Sequence, residues 1–64
     1  MAKFSLEFDC DNDAFYEDMC GAIAEILTGL ADKMRDFPID TKEMQLFLYD
    51  PNGNKIGLSK LTED

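Results

Sequence analysis

Two short stretches place oxygen-bearing side chains at alternate positions, the spacing by which calcium loops gather ligands around a hard cation. Asp9-x-Asp11-x-Asp13 supplies the first three ligand positions of such a loop. The sixth position, however, is Ala14, where the sharp turn requires Gly, and the twelfth is Cys20, where a bidentate Glu closes the cage. Asp50-x-Asn52-x-Asn54 fails in the same way, with Lys55 at the glycine position. Strand-to-helix capping accounts for the first pattern and a Pro-Asn-Gly turn for the second, so no metal is expected at either.

The inventory for catalysis is poor. The chain has no His, so neither a Ser-His nor a Cys-His nucleophilic pair can be built. Cys10 and Cys20 lie in a stretch without Lys or Arg, where no cation favours a thiolate. Two Cys without His fall short of the four N or S ligands of tetrahedral zinc, and free thiols are the expectation in a reducing compartment. Paired carboxylates for glycoside chemistry need a cleft that so short a chain hardly forms. The expectation is a chain with no catalytic residues, no metal and no cofactor, and therefore not an enzyme.

Charge carries more information. Fourteen acids against six bases give a net charge of −8 over 64 residues. Such a surface repels phosphates and argues against direct binding of DNA or RNA. The charge is also unevenly spread. Residues 4 to 32 hold eight acids, Glu7, Asp9, Asp11, Asp13, Glu17, Asp18, Glu25 and Asp32, and no base. Residues 33 to 64 are nearly balanced, with six acids and five bases. A solvated, solubilising surface is one reading of this asymmetry. Electrostatic complementarity to a basic groove on another protein is the sharper one, and it makes Glu7, Asp9, Asp11, Asp13, Glu17, Asp18 and Glu25 the candidate partner-binding residues. Gly21 and Gly29 flank Glu25 on the polar side of a helix, where each costs roughly 0.5–1 kcal/mol relative to Ala, so a close backbone approach by a partner is conceivable there.

The elements that must position these groups follow from periodicity. With 45% hydrophobic residues the chain is too apolar for a disordered acidic tail, and residues 1–64 should form one small domain with a marginal core. Phe4, Leu6, Phe8 and Cys10 alternate with polar residues as a half-buried strand. From Phe15 the apolar spacing turns helical, through Met19, Ile23, Ile26, Leu30 and Met34, with Tyr16, Cys20, Leu27 and Ala31 widening that face. The pattern predicts a helix of about 23 residues, roughly 34 Å long, capped at Asn12 or Asp13 and ended by Phe37-Pro38. Lys33 and Arg35 suit its last turn. Met44, Leu46 and Leu48 alternate with Gln45, Phe47 and Tyr49 as a second strand with apolar groups on both faces. Asp50-Pro51-Asn52-Gly53 makes a turn, with Gly53 able to take positive φ, and Ile56 to Leu61 read as a third strand.

The fold class is therefore α+β in the order β-α-β-β, one long helix packed on a three-stranded sheet with a C-terminal β-hairpin. Two strand orders remain open: a central third strand antiparallel to its neighbours, or the first strand parallel to the second through the helical crossover. One helix covers one sheet face, so either Phe47 and Tyr49 or Met44, Leu46 and Leu48 must find other cover; Phe47 and Tyr49 are the candidate self-association residues, through a homodimer or a docked partner, with solvent exposure or partial cover by the termini the alternative. The N-terminus alternates polar and apolar residues instead of forming the apolar run of a secretory leader, and no segment has the length of a membrane span. A cytoplasmic location is expected.

The run Asp11-Asn12-Asp13-Ala14-Phe15, the helix segments Ala22-Ile23-Ala24-Glu25-Ile26-Leu27 and Leu30-Ala31-Asp32-Lys33-Met34, and the terminal Asp50-Pro51-Asn52-Gly53-Asn54-Lys55-Ile56-Gly57 resemble a group of short acidic accessory proteins encoded by bacteriophages and prophages. The resemblance spans nearly the whole length, although the Lys42 to Tyr49 segment departs from the most compact versions of the pattern. Its motifs are structural, not catalytic. It implies a β-α-β-β fold and an anti-CRISPR-like or other anti-defence inhibitor acting in a bacterial host cell. Such an inhibitor binds and occludes the basic nucleic-acid-binding surface of a host protein, a CRISPR-Cas effector subunit among the candidates, by DNA mimicry or by displacement. A small self-associating interaction module is the alternative function.

Overall fold

The computed structural model describes residues 1–63. Strand β1 runs from Ala2 to Phe8, and the hairpin strands are β2, Met44–Tyr49, and β3, Lys55–Glu63. They form one antiparallel sheet in the order β1-β3-β2, the first of the two orders open from sequence. The hairpin forces β3 beside β2. The helix returns the chain along the sheet, so β1 and β2 run the same way and β3 fills the gap between them antiparallel to both. Leu6, Ser59 and Leu46 stand in one register row, and Phe8, Gly57 and Leu48 in the next.

Helix α1 is shorter than its apolar spacing predicts. It spans Met19–Arg35, 17 residues, and is preceded by a single 3₁₀ turn at Asp13–Phe15. Asn12 does cap, but it caps the 3₁₀ turn, accepting from the Ala14 N–H at 3.0 Å. Asp18 caps α1, accepting from the Gly21 N–H at 3.0 Å. The break at residues 16–18 lets Phe15 turn into the core, 1% exposed and with its ring centroid 6.4 Å from that of Phe8, while Met19 remains 52% exposed. A continuous helix would have kept both on one stripe. Gly21 is explained by the same cap, because a Cβ there would overlap the Asp18 carboxylate. The C-terminal end follows the sequence reading, with Lys33 and Arg35 in the last turn and Asp36 as its cap before Phe37 and Pro38.

The core is small: Phe15, Ala22, Leu30 and Leu48 are the buried apolar residues. On β3, Gly57, Ser59 and Leu61 share one sheet face with Phe8, Leu6 and Phe4, with which they are in register. Fully buried Ser59 donates its hydroxyl to the Leu46 carbonyl at 3.2 Å. A side chain at Gly57 would overlap the Glu7 carbonyl and the Phe8 Cβ, so β1 approaches β3 this closely only over glycine. Tyr16, Cys20, Leu27 and Ala31 do not widen the buried helix stripe. All four are exposed, because α1 leans over β2 and the three strands offer nothing for a broader stripe to rest on. The result is an elongated molecule, 38 × 20 × 18 Å, whose radius of gyration of 12.8 Å exceeds the about 11 Å of a compact chain of this length.

A charge-polarised surface as candidate functional site

The segment from Asp9 to Asp18 links the end of β1 to the start of α1 and carries five of the seven candidate carboxylates. It is anchored at three points: Phe15 in the core, Asp18 on the first turn of α1, and Asn12 against the hairpin. Asn12 Nδ2 donates to Asp50 Oδ2 at 2.5 Å. Asp50 is 5% exposed and also accepts from the backbone N–H groups of Asn52 (2.9 Å) and Asn54 (2.8 Å) and from Asn54 Nδ2 (3.1 Å). Burial of the carboxyl opposes its charge, but these donors from Asn54, Asn52 and Asn12 outweigh that penalty and hold it below the usual carboxylate range. Gly53 closes the turn at φ +87°. Asp50 thus meets N–H donors on both oxygens, which is turn chemistry and not a ligand cage.

Helix α1 runs antiparallel to β2, with Ile26 beside Tyr49 and Asp50 at one end and Leu30 and Lys33 beside Leu46 further along. The linear asymmetry of charge therefore becomes a polarity of the molecule. Around the hairpin turn lie Glu7, Asp9, Asp11, Asp13, Glu17, Asp18, Glu25 and Asp50, eight carboxylates with Lys55 as the single base. Among the described residues the opposite end holds five acids, Asp32, Asp36, Asp40, Glu43 and Glu63, with Lys3, Lys33, Arg35, Lys42 and Lys60. The ion pairs among the described residues, Arg35–Asp32 at 3.8 Å and Lys42–Glu63 at 3.6 Å, both lie at this balanced end. All seven candidate residues are exposed. Asp9, Asp11, Asp13, Glu17 and Asp18 form one run. Glu7 stands apart from it on the open sheet face, and Glu25 stands beside Pro51 of the hairpin turn.

The sheet face away from α1 is open. Phe47 and Tyr49, on the edge strand, are 45% and 50% exposed, in register with Leu58 and Lys55, and also line clefts at the edge of α1. The Lys55 Nζ sits 4.5 Å from the Phe47 ring centroid, a cation–π contact. What sequence reasoning missed is the rest of this face: Lys3, Ser5, Glu7, Leu58, Lys60 and Gln45 occupy it by register. The signal was present in β3, whose small residues Gly57 and Ser59 alternate with Ile56 and Leu58. The small set marks the face that is closely covered, since Ser59 is fully buried.

Both cysteines are free thiols, Cys10 half-buried and Cys20 exposed. Among the described residues no group of three His, Cys, Asp or Glu side chains is placed to hold a metal. No described helix is long and apolar enough to cross a membrane. No protein-family model, characterised protein or solved structure matches the chain.

Proposed function

We propose that the chain is a non-enzymatic binding protein of the phage accessory type, an anti-defence inhibitor that acts in the bacterial cytoplasm. It docks its acidic end into the basic, nucleic-acid-binding surface of a host protein and so keeps nucleic acid off that surface. The observation that carries this reading is the segregation of charge, eight carboxylates with one base at the hairpin end and a balanced population at the other. Mutual repulsion among carboxylates works against the fold, and dispersing them would be the cheaper way to keep a small protein soluble. The segment that carries them is also held by Phe15, the Asn12–Asp50 bond and the Asp18 cap, so its backbone is presented without a further ordering cost on binding.

The test is capture of nucleic-acid-binding host proteins from a bacterial lysate by the tagged chain and by a variant combining Asp11→Asn, Asp13→Asn, Glu17→Gln and Asp18→Asn. Asn at position 18 retains the cap. Capture should be strong at about 50 mM sodium chloride, weak at about 500 mM, where the Debye length has shrunk from roughly 14 to 4 Å, and lost in the variant. Capture that is indifferent to both salt and the substitutions overturns the reading.

A further inference from the structure

We infer that the free edge of β2 takes an extended segment of a partner protein as a fourth strand, antiparallel to β2, in which an arginine or lysine stands two residues before an aliphatic side chain. The first observation is the ladder. The Asp9 N–H bonds to the Ile56 carbonyl at 3.0 Å, so by alternation the main-chain groups of Leu58 and Lys60 also turn to β1, and those of Gly57 and Ser59 turn to β2. Leu46 and Leu48 therefore bond to β3, as the Ser59 hydroxyl on the Leu46 carbonyl agrees, whereas Gln45 and Phe47 turn their N–H and C=O groups outward. Beyond the register shift the Asp50 N–H bonds to the Asn54 carbonyl at 2.9 Å, which leaves Tyr49 facing outward as well. This edge has no charged residue and no proline, the features that close other edges to a further strand. β1, at the other edge, carries Lys3 and Glu7.

The second observation is that α1 makes this edge a groove. A cleft of about 100 Å³ opens between Ile26, Gly29 and Leu30 of α1 and Leu46 and Leu48 of β2. One of about 230 Å³ continues it toward the turn, between Glu25 and Ile26 on one side and Tyr49, Asp50 and Pro51 on the other. No β3 residue lines either cleft, so both open beside the edge of β2 instead of inside the layer between sheet and helix. Gly29 leaves the first cleft unfilled, since a Cβ there meets nothing within 4 Å.

The pleat and the charge select the occupant. Antiparallel pairing is the more stable per residue. A strand so added to β2 places its side chains opposite Leu48 and Asp50 on the α1 side, two residues apart. The one opposite Leu48 enters the first cleft, whose room of about three water volumes at roughly 30 Å³ each suits an aliphatic group. The one opposite Asp50 meets the exposed Glu25 carboxylate and the half-exposed Tyr49 ring, partners for a cation. Lys33 lines the first cleft and repels a cation there, which fixes the order. A second copy does not fit, because β2 itself has no lysine or arginine to offer and two chains of net charge −8 repel. The groove shares only Glu25 with the seven carboxylates of the proposed function and does not depend on the run from Asp11 to Asp18.

Fluorescence anisotropy with a labelled peptide, acetyl-Thr-Arg-Thr-Val-Thr-Thr-amide, tests the inference at about 150 mM salt, where charges beyond roughly 8 Å are screened. The chain should bind it saturably. N-methylation of the threonine between Arg and Val removes a ladder bond to Tyr49 and should weaken binding about tenfold. Gly29→Leu fills the first cleft and should weaken it about tenfold or more, while far-ultraviolet circular dichroism keeps the native spectrum. Glu25→Lys should weaken binding about tenfold and tighten that of the peptide carrying Glu in place of Arg. The Asp11, Asp13, Glu17 and Asp18 neutralisation should leave peptide affinity unchanged, so failure of the groove and failure of the proposed function are read separately. Absence of saturable binding overturns the inference, as does binding that tolerates the N-methyl group, the filled cleft or the reversed charge. So does a wild-type chain that dimerises in sedimentation equilibrium but is monomeric as Phe47→Pro, which removes only an outward N–H and would put a second copy on the edge.

Discussion

Phe15 and Met19 sit four residues apart and look alike in a helical pattern, yet the structure gives them opposite weights. Phe15 is 1% exposed against Phe8, and Met19 is 52% exposed at the start of α1. Removing a buried Phe side chain costs about 3–5 kcal/mol through lost transfer energy and the cavity left behind. A half-exposed Met carries about half of the 1.5–3 kcal/mol assigned to full burial, so its loss should cost about 1 kcal/mol. The whole stability of a chain this long is about 3–10 kcal/mol at 0.05–0.15 per residue. Phe15→Ala therefore removes a third or more of it, and toward the lower end of that range populates the unfolded state in water, whereas Met19→Ala stays folded. Phe15→Leu, at about 1.5 kcal/mol or somewhat less, keeps the comparison measurable if the alanine variant does not fold. The assay is urea unfolding followed by circular dichroism. With a slope near 1 kcal/mol/M, Phe15→Leu should move the midpoint by about 1–1.5 M. Protein concentration must be fixed across variants, since association adds to apparent stability. A Met19→Ala cost equal to that of Phe15→Ala would mean that the helix continues unbroken through residue 16, and would refute the anchoring of the acidic segment by Phe15.

Two further outcomes follow from particular groups. Asp50 is held below the usual carboxylate range in the fold, so the stability its charge contributes is complete above the unfolded value, near pH 3.9, and is lost as pH falls through the folded value. The deficit of Asp50→Asn relative to wild type should thus be constant from neutral pH to about 5 and shrink below about 4; a deficit that stays constant to the acid limit would show that the charge contributes nothing. At the glycines the signs should oppose. Gly57→Ala forces β1 off β3 and should cost about 1–3 kcal/mol, while Gly29→Ala, which meets no atom within 4 Å, should gain about 0.5–1 kcal/mol. Thermal melts with both shifts in the same direction would contradict the assigned contacts.

Most of the architecture was legible because its signals are local. The alternation of Phe4, Leu6 and Phe8, the helical spacing from Met19 to Met34 and the Asp50-Pro51-Asn52-Gly53 turn each name an element without reference to the rest of the chain. What was not legible depends on contacts between elements. The helix start moved from Asp13 to Met19 because Phe15 found Phe8, a contact across the strand-to-helix connection that periodicity within one element does not contain. Strand order depended on which strand β1 joins after the helical return, and at Gly57 β1 comes so close to β3 that a side chain would overlap the Glu7 carbonyl. The charged surface shows the same division. The base-free stretch was visible in the sequence, but its collection at one end required knowing that α1 runs back along β2. Lys3 and Lys60, distant in sequence, became neighbours of a single open face through β1–β3 register.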